Sequence, residues 1–122
     1  MGKGIALSIK HQFPEAYDAD CQTAKGDAAK LGTVSIAEVE RHGRVLYVVN
    51  GYTQYHWRGI GVKADYEAIR GVMKTVKSKF PGKRIGYPKI GAGLAGGDWE
   101  VICAIIDEEL AGENHAYVEY SA

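Results

Sequence analysis

Apolar residues along the chain recur with two distinct periods. Over 4–13, Ile5, Ile9 and Phe13 fall on one face at helical spacing, and Pro14 interrupts or restarts the helix, leaving 15–21 as a second short one. Residues 22–31 are polar and alanine-rich and show no period. Val34, Ile36 and Val39 then sit near alternation within 33–40, and Arg44-Val-Leu-Tyr-Val-Val-Asn50 is rich in β-branched and aromatic side chains. With Arg41-His42-Gly43 between them, these two strands read as a hairpin. Gly51 to Lys63 mixes aromatics and glycines and reads as a long loop, a place where function concentrates.

The clearest helix is predicted over 65–80. Tyr66, Ile69, Val72, Met73, Val76 and Phe80 make its apolar stripe, Asp65 its N-cap, and Pro81-Gly82 its stop. Residues 83–90 follow as a strand that enters a glycine loop at 91–97. Asp98 caps a second helix whose Trp99, Ile102, Cys103, Ile106 and Leu110 recur every three or four positions. Gly112 ends it, and His115 to Tyr120 reads as the last strand. The alternation of strand and helix from 44 to 120 predicts a crossover α/β fold with mainly parallel pairing, the hairpin adding an antiparallel edge.

Composition narrows the function. At 122 residues the chain is expected to form one domain, since cores split only above ~250. Its 15 basic and 15 acidic side chains cancel, which argues against a generic nucleic-acid or membrane-surface binder. No apolar run reaches the ~18 residues of a membrane span and no signal-peptide core is visible, so a cytoplasmic protein is expected. Cys21 and Cys103 form neither a disulfide framework nor a zinc pattern, and no metal or cofactor is expected. Glycine is the outlier: 16 of 122, about 13% against a usual ~7%.

Those glycines fall where chemistry is possible. Ile90-Gly91-Ala92-Gly93-Leu94-Ala95-Gly96-Gly97-Asp98-Trp99 joins a strand end to a helix start. Without side chains in the way, backbone N–H groups can approach an oxyanion, and the helix N-terminus adds partial positive charge. The plainer alternative is a tight turn that binds nothing. Gly91 to Gly96 matches Gly-x-Gly-x-x-Gly, with Glu119 placed as a ribose-binding acid would be, but too little chain follows for a Rossmann domain. No Lys-Ser or Lys-Thr completes a Walker A loop. Gly2 and Gly4, before the first helix, offer either a second anion cradle or a fortuitous initiator region; two cradles across one crevice would suit a diphosphate.

Other candidates are thinner. His11, His42, His56 and His115 show no metal spacing; His56, in the aromatic loop, is the one worth weighing as catalytic. Asp98 reads first as a cap and second as a base, and Glu108 and Glu109 as solvated. Tyr52, Tyr55 and Trp57 offer stacking surface or a packed lid.

Met1-Gly-Lys-Gly-Ile-Ala-Leu7, Phe13-Pro14, Leu31-Gly32, the Val48–Gln54 strand end and Tyr87-Pro-Lys-Ile-Gly-Ala-Gly-Leu-Ala-Gly-Gly-Asp-Trp99 together resemble the macro domain family of ADP-ribose binders. The branch most similar holds yeast-type ADP-ribose-1″-phosphate phosphatases, phage relatives and the terminal ADP-ribose protein glycohydrolase. The resemblance implies a three-layer α/β/α domain with a mixed sheet, and a distal ribose and diphosphate held between Gly2-Lys3-Gly4-Ile5 and Ile90-Gly91-Ala92-Gly93-Leu94-Ala95-Gly96. It sets Thr53 and Gln54 beside the distal ribose and Tyr120 near the adenine, and it implies no metal.

Two departures shape the expectation. The lysine and aspartate of the glycohydrolase fall at Gln54 and Ala95, which can neither form a covalent sugar adduct nor abstract a proton. The resemblance therefore implies hydrolysis of ADP-ribose-1″-phosphate, or a non-catalytic reader of ADP-ribose, with no catalytic residue assigned. Relative to the family, residues 1–122 also read as a macro domain lacking the first two strands. Unpaired backbone groups at such a gap are costly, so a homodimer through free sheet edges, poor folding or weak ligand binding is expected.

Overall fold

The structure, a computed structural model, describes residues 9–22, 30–57, 61–90 and 97–118, with 54–57 and 61–64 described by their backbone. Residues 9–12 are helical up to Phe13, and helix α1 restarts at once as Pro14–Cys21. Pro14 at its first position loses no hydrogen bond there. Ile5 and most of the unassigned 22–31 stretch lie outside the described residues.

Strands β1 (Val34–Arg41) and β2 (Arg44–Gly51) form the expected antiparallel hairpin, in register from Val34 opposite Gly51 to Arg41 opposite Arg44. His42 and Gly43 both take positive φ, 53° and 74°, as a two-residue hairpin turn of matching twist requires. One face of the hairpin, Ala37 and Val39 with Leu46 and Val48, closes on Ala16, Ile9 and Phe13 in a small core. Arg41 ties this unit together through a fork to Glu15, with Nη1–Oε2 at 2.9 Å and Nη2–Oε1 at 3.0 Å. That hydrogen bond holds the Glu15 carboxyl below its usual range.

The expected loop from Gly51 to Lys63 is corrected by the backbone. Gln54–Trp57 (β3) pairs antiparallel with Gly61–Ala64 (β4). Each run is only four residues long, too short for alternation to register against the surrounding glycines and aromatics.

Helix α2 (Tyr66–Lys79) is capped by Asp65, whose carboxylate accepts from the Ala68 N–H at 3.0 Å. Strand β5 (Arg84–Tyr87), helix α3 (Trp99–Glu109) and strand β6 (Asn114–Tyr117) make a strand–helix–strand crossover, with β5 and β6 parallel and Arg84 opposite Asn114. Ile69, Val72, Met73 and Val76 of α2 join Ile102, Ile105, Ile106, Leu110 and Tyr87 in the main core. The predicted stripes hold with two changes: Tyr66 is exposed, and Ile105 is buried where Cys103 is half-buried.

Pairing differs from the expectation of a mainly parallel sheet. Among the described residues the strands form three two-stranded ladders, two of them antiparallel. Of these three pairs only β5 and β6 are joined through a helix; β1–β2 and β3–β4 are joined by connections of two and three residues, too short for a crossover, and pair antiparallel. Among the described residues no helix is long and apolar enough to cross a membrane.

At Gly51 the hairpin approaches α2 closely, since a Cβ there would stand 2.5 Å from Cγ1 of buried Val72. Gly51→Ala is expected to cost about 1–3 kcal/mol in urea unfolding. Pairing it with Val72→Ala should recover part of that loss; simple addition of the two costs would show that the clash is not the cause.

Candidate functional site

The glycine loop leaves the sheet at the carboxyl end of β5 and returns at the N-terminus of α3, the edge of a parallel strand pair where α/β folds place ligands. Both flanks are anchored. On the entering side, Ile90 packs against the main core, and the Tyr87 carbonyl accepts from the Val118 N–H at 2.8 Å. On the leaving side, Asp98 Oδ1 accepts from the Glu100 N–H at 3.0 Å, satisfying a first-turn donor of α3. Trp99 packs on the core, its ring 5.5 Å from that of Tyr117.

A second helix N-terminus lies beside the first. The Asp98 N–H donates to the Tyr66 hydroxyl at 3.0 Å, so the first residue of α2 holds the residue that caps α3. Thr53, only 5% exposed, passes its carbonyl to the Asp65 N–H at 2.8 Å. Two hydrogen bonds and the Asp65–Tyr66 step thus link Thr53 to the end of the glycine loop. The N-termini of both helices meet there; the capping Asp65 and Asp98, with Glu67 and Glu100 in the first turns, already answer their partial positive charge, so what the helix ends offer a ligand is the first-turn N–H groups that the caps leave over.

Tyr87, which begins the approach to the loop, is buried. Its hydroxyl lies 2.8 Å from His115 Nδ1, and burial, with Asp107 and Cys103 nearby, raises the phenol above its usual range. Next to Thr53, the Tyr52 hydroxyl donates to Asp20 Oδ1 at 2.5 Å and lies 3.1 Å from Ser35 Oγ, with Lys30 Nζ 3.9 Å from the ring centre. Among the described residues no three His, Cys, Asp or Glu side chains are grouped to hold a metal.

Of the residues read from the sequence, Thr53 and Ile90 are described in full and both flank this edge. Gln54 is described by its backbone, as the first residue of β3 opposite Ala64. Gly2, Lys3, Gly4, Ile5, Gly91, Ala92, Gly93, Leu94, Ala95, Gly96 and Tyr120 lie outside the described residues. His56 is described by its backbone in β3. Two readings are corrected. Tyr66, taken as part of the core stripe, works at the surface as the acceptor for Asp98; its place directly after a capping aspartate was the available signal. Glu109 is not solvated: its side chain is 13% exposed and pairs with Arg70 at 3.3 Å, while Glu108 is exposed and pairs with the same guanidinium.

With this geometry in hand, comparison with known proteins gives the family. The macro domain model matches residues 1–106, and the chain belongs to the macro domain family. It is 34% identical over 112 residues to the 17.5 kDa protein of the tk-vs intergenic region of Enterobacteria phage T4, covering 88% of this chain and 70% of that one. The DNA ADP-ribosyl glycohydrolase of Mycobacterium tuberculosis is 28% identical over 100 residues, and that of Thermus aquaticus 27% over 112. The alignments cover 82% and 90% of this chain but only 28% and 31% of those enzymes, so it spans less than a third of their length. In structure it is similar to the macrodomains of Thermus aquaticus and Mycobacterium tuberculosis DarG, each at a TM-score of 0.70. All of this chain and 82% of each macrodomain are covered, at 24% and 19% identity, which establishes the shared fold.

The Tyr66–Asp98 link carries a prediction. Asp98→Ala removes the α3 cap and is expected to cost about 1 kcal/mol. Tyr66→Phe removes an exposed acceptor and should cost about 0.5 kcal/mol. Urea unfolding checks both; an unchanged midpoint for Asp98→Ala would mean that the cap does not hold the helix start.

Proposed function

We propose that residues 1–122 act as one ADP-ribose-binding domain. The diphosphate and distal ribose lie between Gly2–Ile5 and Ile90–Gly96, Thr53 and Gln54 stand beside the ribose, and Tyr120 is near the adenine. The observation that carries this reading is the convergence of two capped helix N-termini on the glycine-loop edge of a parallel strand pair. Membership of the macro domain family supports the ligand class.

The reaction proposed is hydrolysis of ADP-ribose-1″-phosphate to ADP-ribose and phosphate. It asks for a positioned water and an oxyanion cradle, which backbone N–H groups supply. The glycohydrolase activity named for the mycobacterial and Thermus relatives is not carried over. Gln54 and Ala95 stand where the resemblance requires a lysine and an aspartate, and that same substitution favours, as the second reading, a reader that binds ADP-ribose without turnover.

Calorimetric titration with ADP-ribose and phosphate release from ADP-ribose-1″-phosphate test both. Binding with turnover supports the phosphatase, binding alone the reader, and absence of binding overturns the assignment. Gly93→Glu sets a carboxylate in the diphosphate cradle and is expected to abolish binding; unchanged affinity would refute the placement.

A further inference from the structure

Zero net charge conceals a local excess. From Lys74 to Arg84 the chain carries Lys74, Lys77, Lys79, Lys83 and Arg84 and no acidic residue. This stretch ends α2 and turns into β5. Beside it, between this stretch and the β1–β2 hairpin, lies a groove of about 380 Å³ lined by Ile36, Tyr47, Lys79, Phe80 and Lys83. Tyr47 is 43% exposed, its ring 5.2 Å from that of Phe80 and tilted by 44°. Two acids stand at its rim and keep their charge, Glu38 accepting from the Tyr47 hydroxyl at 3.2 Å and Glu113 from the Gly82 N–H at 3.0 Å, so the five basic residues of the stretch outnumber the carboxylates without being free of them.

We propose that this groove binds single-stranded nucleic acid, with an unpaired base on the Tyr47–Phe80 face and adjacent phosphates on Lys79 and Lys83. The pairing of surfaces selects the occupant. An acidic peptide would use the lysines and leave the rings unused, and a duplex keeps its bases stacked on one another. Unpaired bases on a phosphate backbone use both. The inference is independent of the ADP-ribose reading. Helix α2, at ~1.5 Å per residue, separates the groove from the Asp98 end by roughly 20 Å.

The test is fluorescence anisotropy of the whole chain with a labelled oligothymidylate of about 12 nucleotides at about 50 mM salt. Binding is expected to weaken as salt rises, with a log–log slope near −1.4 for two neutralised phosphates, at about −0.7 each. Lys79→Gln with Lys83→Gln should flatten that slope. Tyr47→Leu keeps an apolar contact for Phe80 but removes the stacking face, and should weaken binding about five- to tenfold. Thermal unfolding and ADP-ribose titration should match the parent in every variant. The proposal is overturned if the oligonucleotide does not bind, or if Tyr47→Leu binds as the parent does. It is equally overturned if polyglutamate displaces the probe as well as unlabelled oligonucleotide, if a duplex binds as tightly, or if ADP-ribose competes with the probe.

Discussion

Ile69, Val72, Met73 and Val76 of α2 and Ile102, Ile105, Ile106 and Leu110 of α3 share one apolar core, and the rest of the architecture depends on it. Burying each such side chain is worth roughly 1.5–3 kcal/mol, so this cluster outweighs any polar contact in the chain. It fixes the two helices side by side. The crossover through α3 leaves β6 parallel to β5, and that pairing puts the connection from β5 to α3 at the carboxyl edge of the strands. The described flanks of the glycine-rich segment, Ile90 and Asp98, therefore stand at that carboxyl edge, with the N-terminus of α3 beside them.

Small polar contacts then refine what packing has fixed. Asp65 and Asp98 cap the two helices, Tyr66 bridges from the start of one to the cap of the other, and the Thr53 carbonyl meets the Asp65 N–H. None of these bonds is individually strong. Together they bring the segment after β2 and the segment before α3 to one place. The opposite end of α2 has a different character, with exposed Tyr47, half-buried Phe80 and a run of lysines rather than caps.

Much of this was legible from residue order. Long helices with 3.6-residue periods, capping aspartates and terminal Pro-Gly or Gly signals declare themselves, and α2, α3 and the β1–β2 turn follow from them. The β3–β4 pair was not legible: its four-residue runs lie among glycines and aromatics with no stop signal to set them off, whereas the equally short β5 and β6 follow Pro81-Gly82 and Gly112. Nor was the balance of pairing: periodicity says that a segment is a strand and is silent on its neighbour. Glu109 was misread because one guanidinium, Arg70 on a distant segment, draws it out of solvent. Tyr66 extends the apolar stripe on a helical wheel, but its position at the helix start leaves it at the surface, where its hydroxyl meets the Asp98 N–H. Of the candidate site, the glycine positions came from sequence alone, while the convergence of helix ends at Thr53 and Asp98 needed the fold.

The central claim is that the segment between β5 and α3 is the ligand cradle. Backbone amide chemical shifts, recorded while ADP-ribose is added to the labelled chain, test it most directly. The account predicts the largest changes at Gly91 to Gly97 and at Gly2 to Ile5, with the amides around Tyr47, Phe80 and Lys83 unmoved. Saturating ligand that leaves the 91–97 amides in place, or that shifts only residues at the far end of α2, would contradict it.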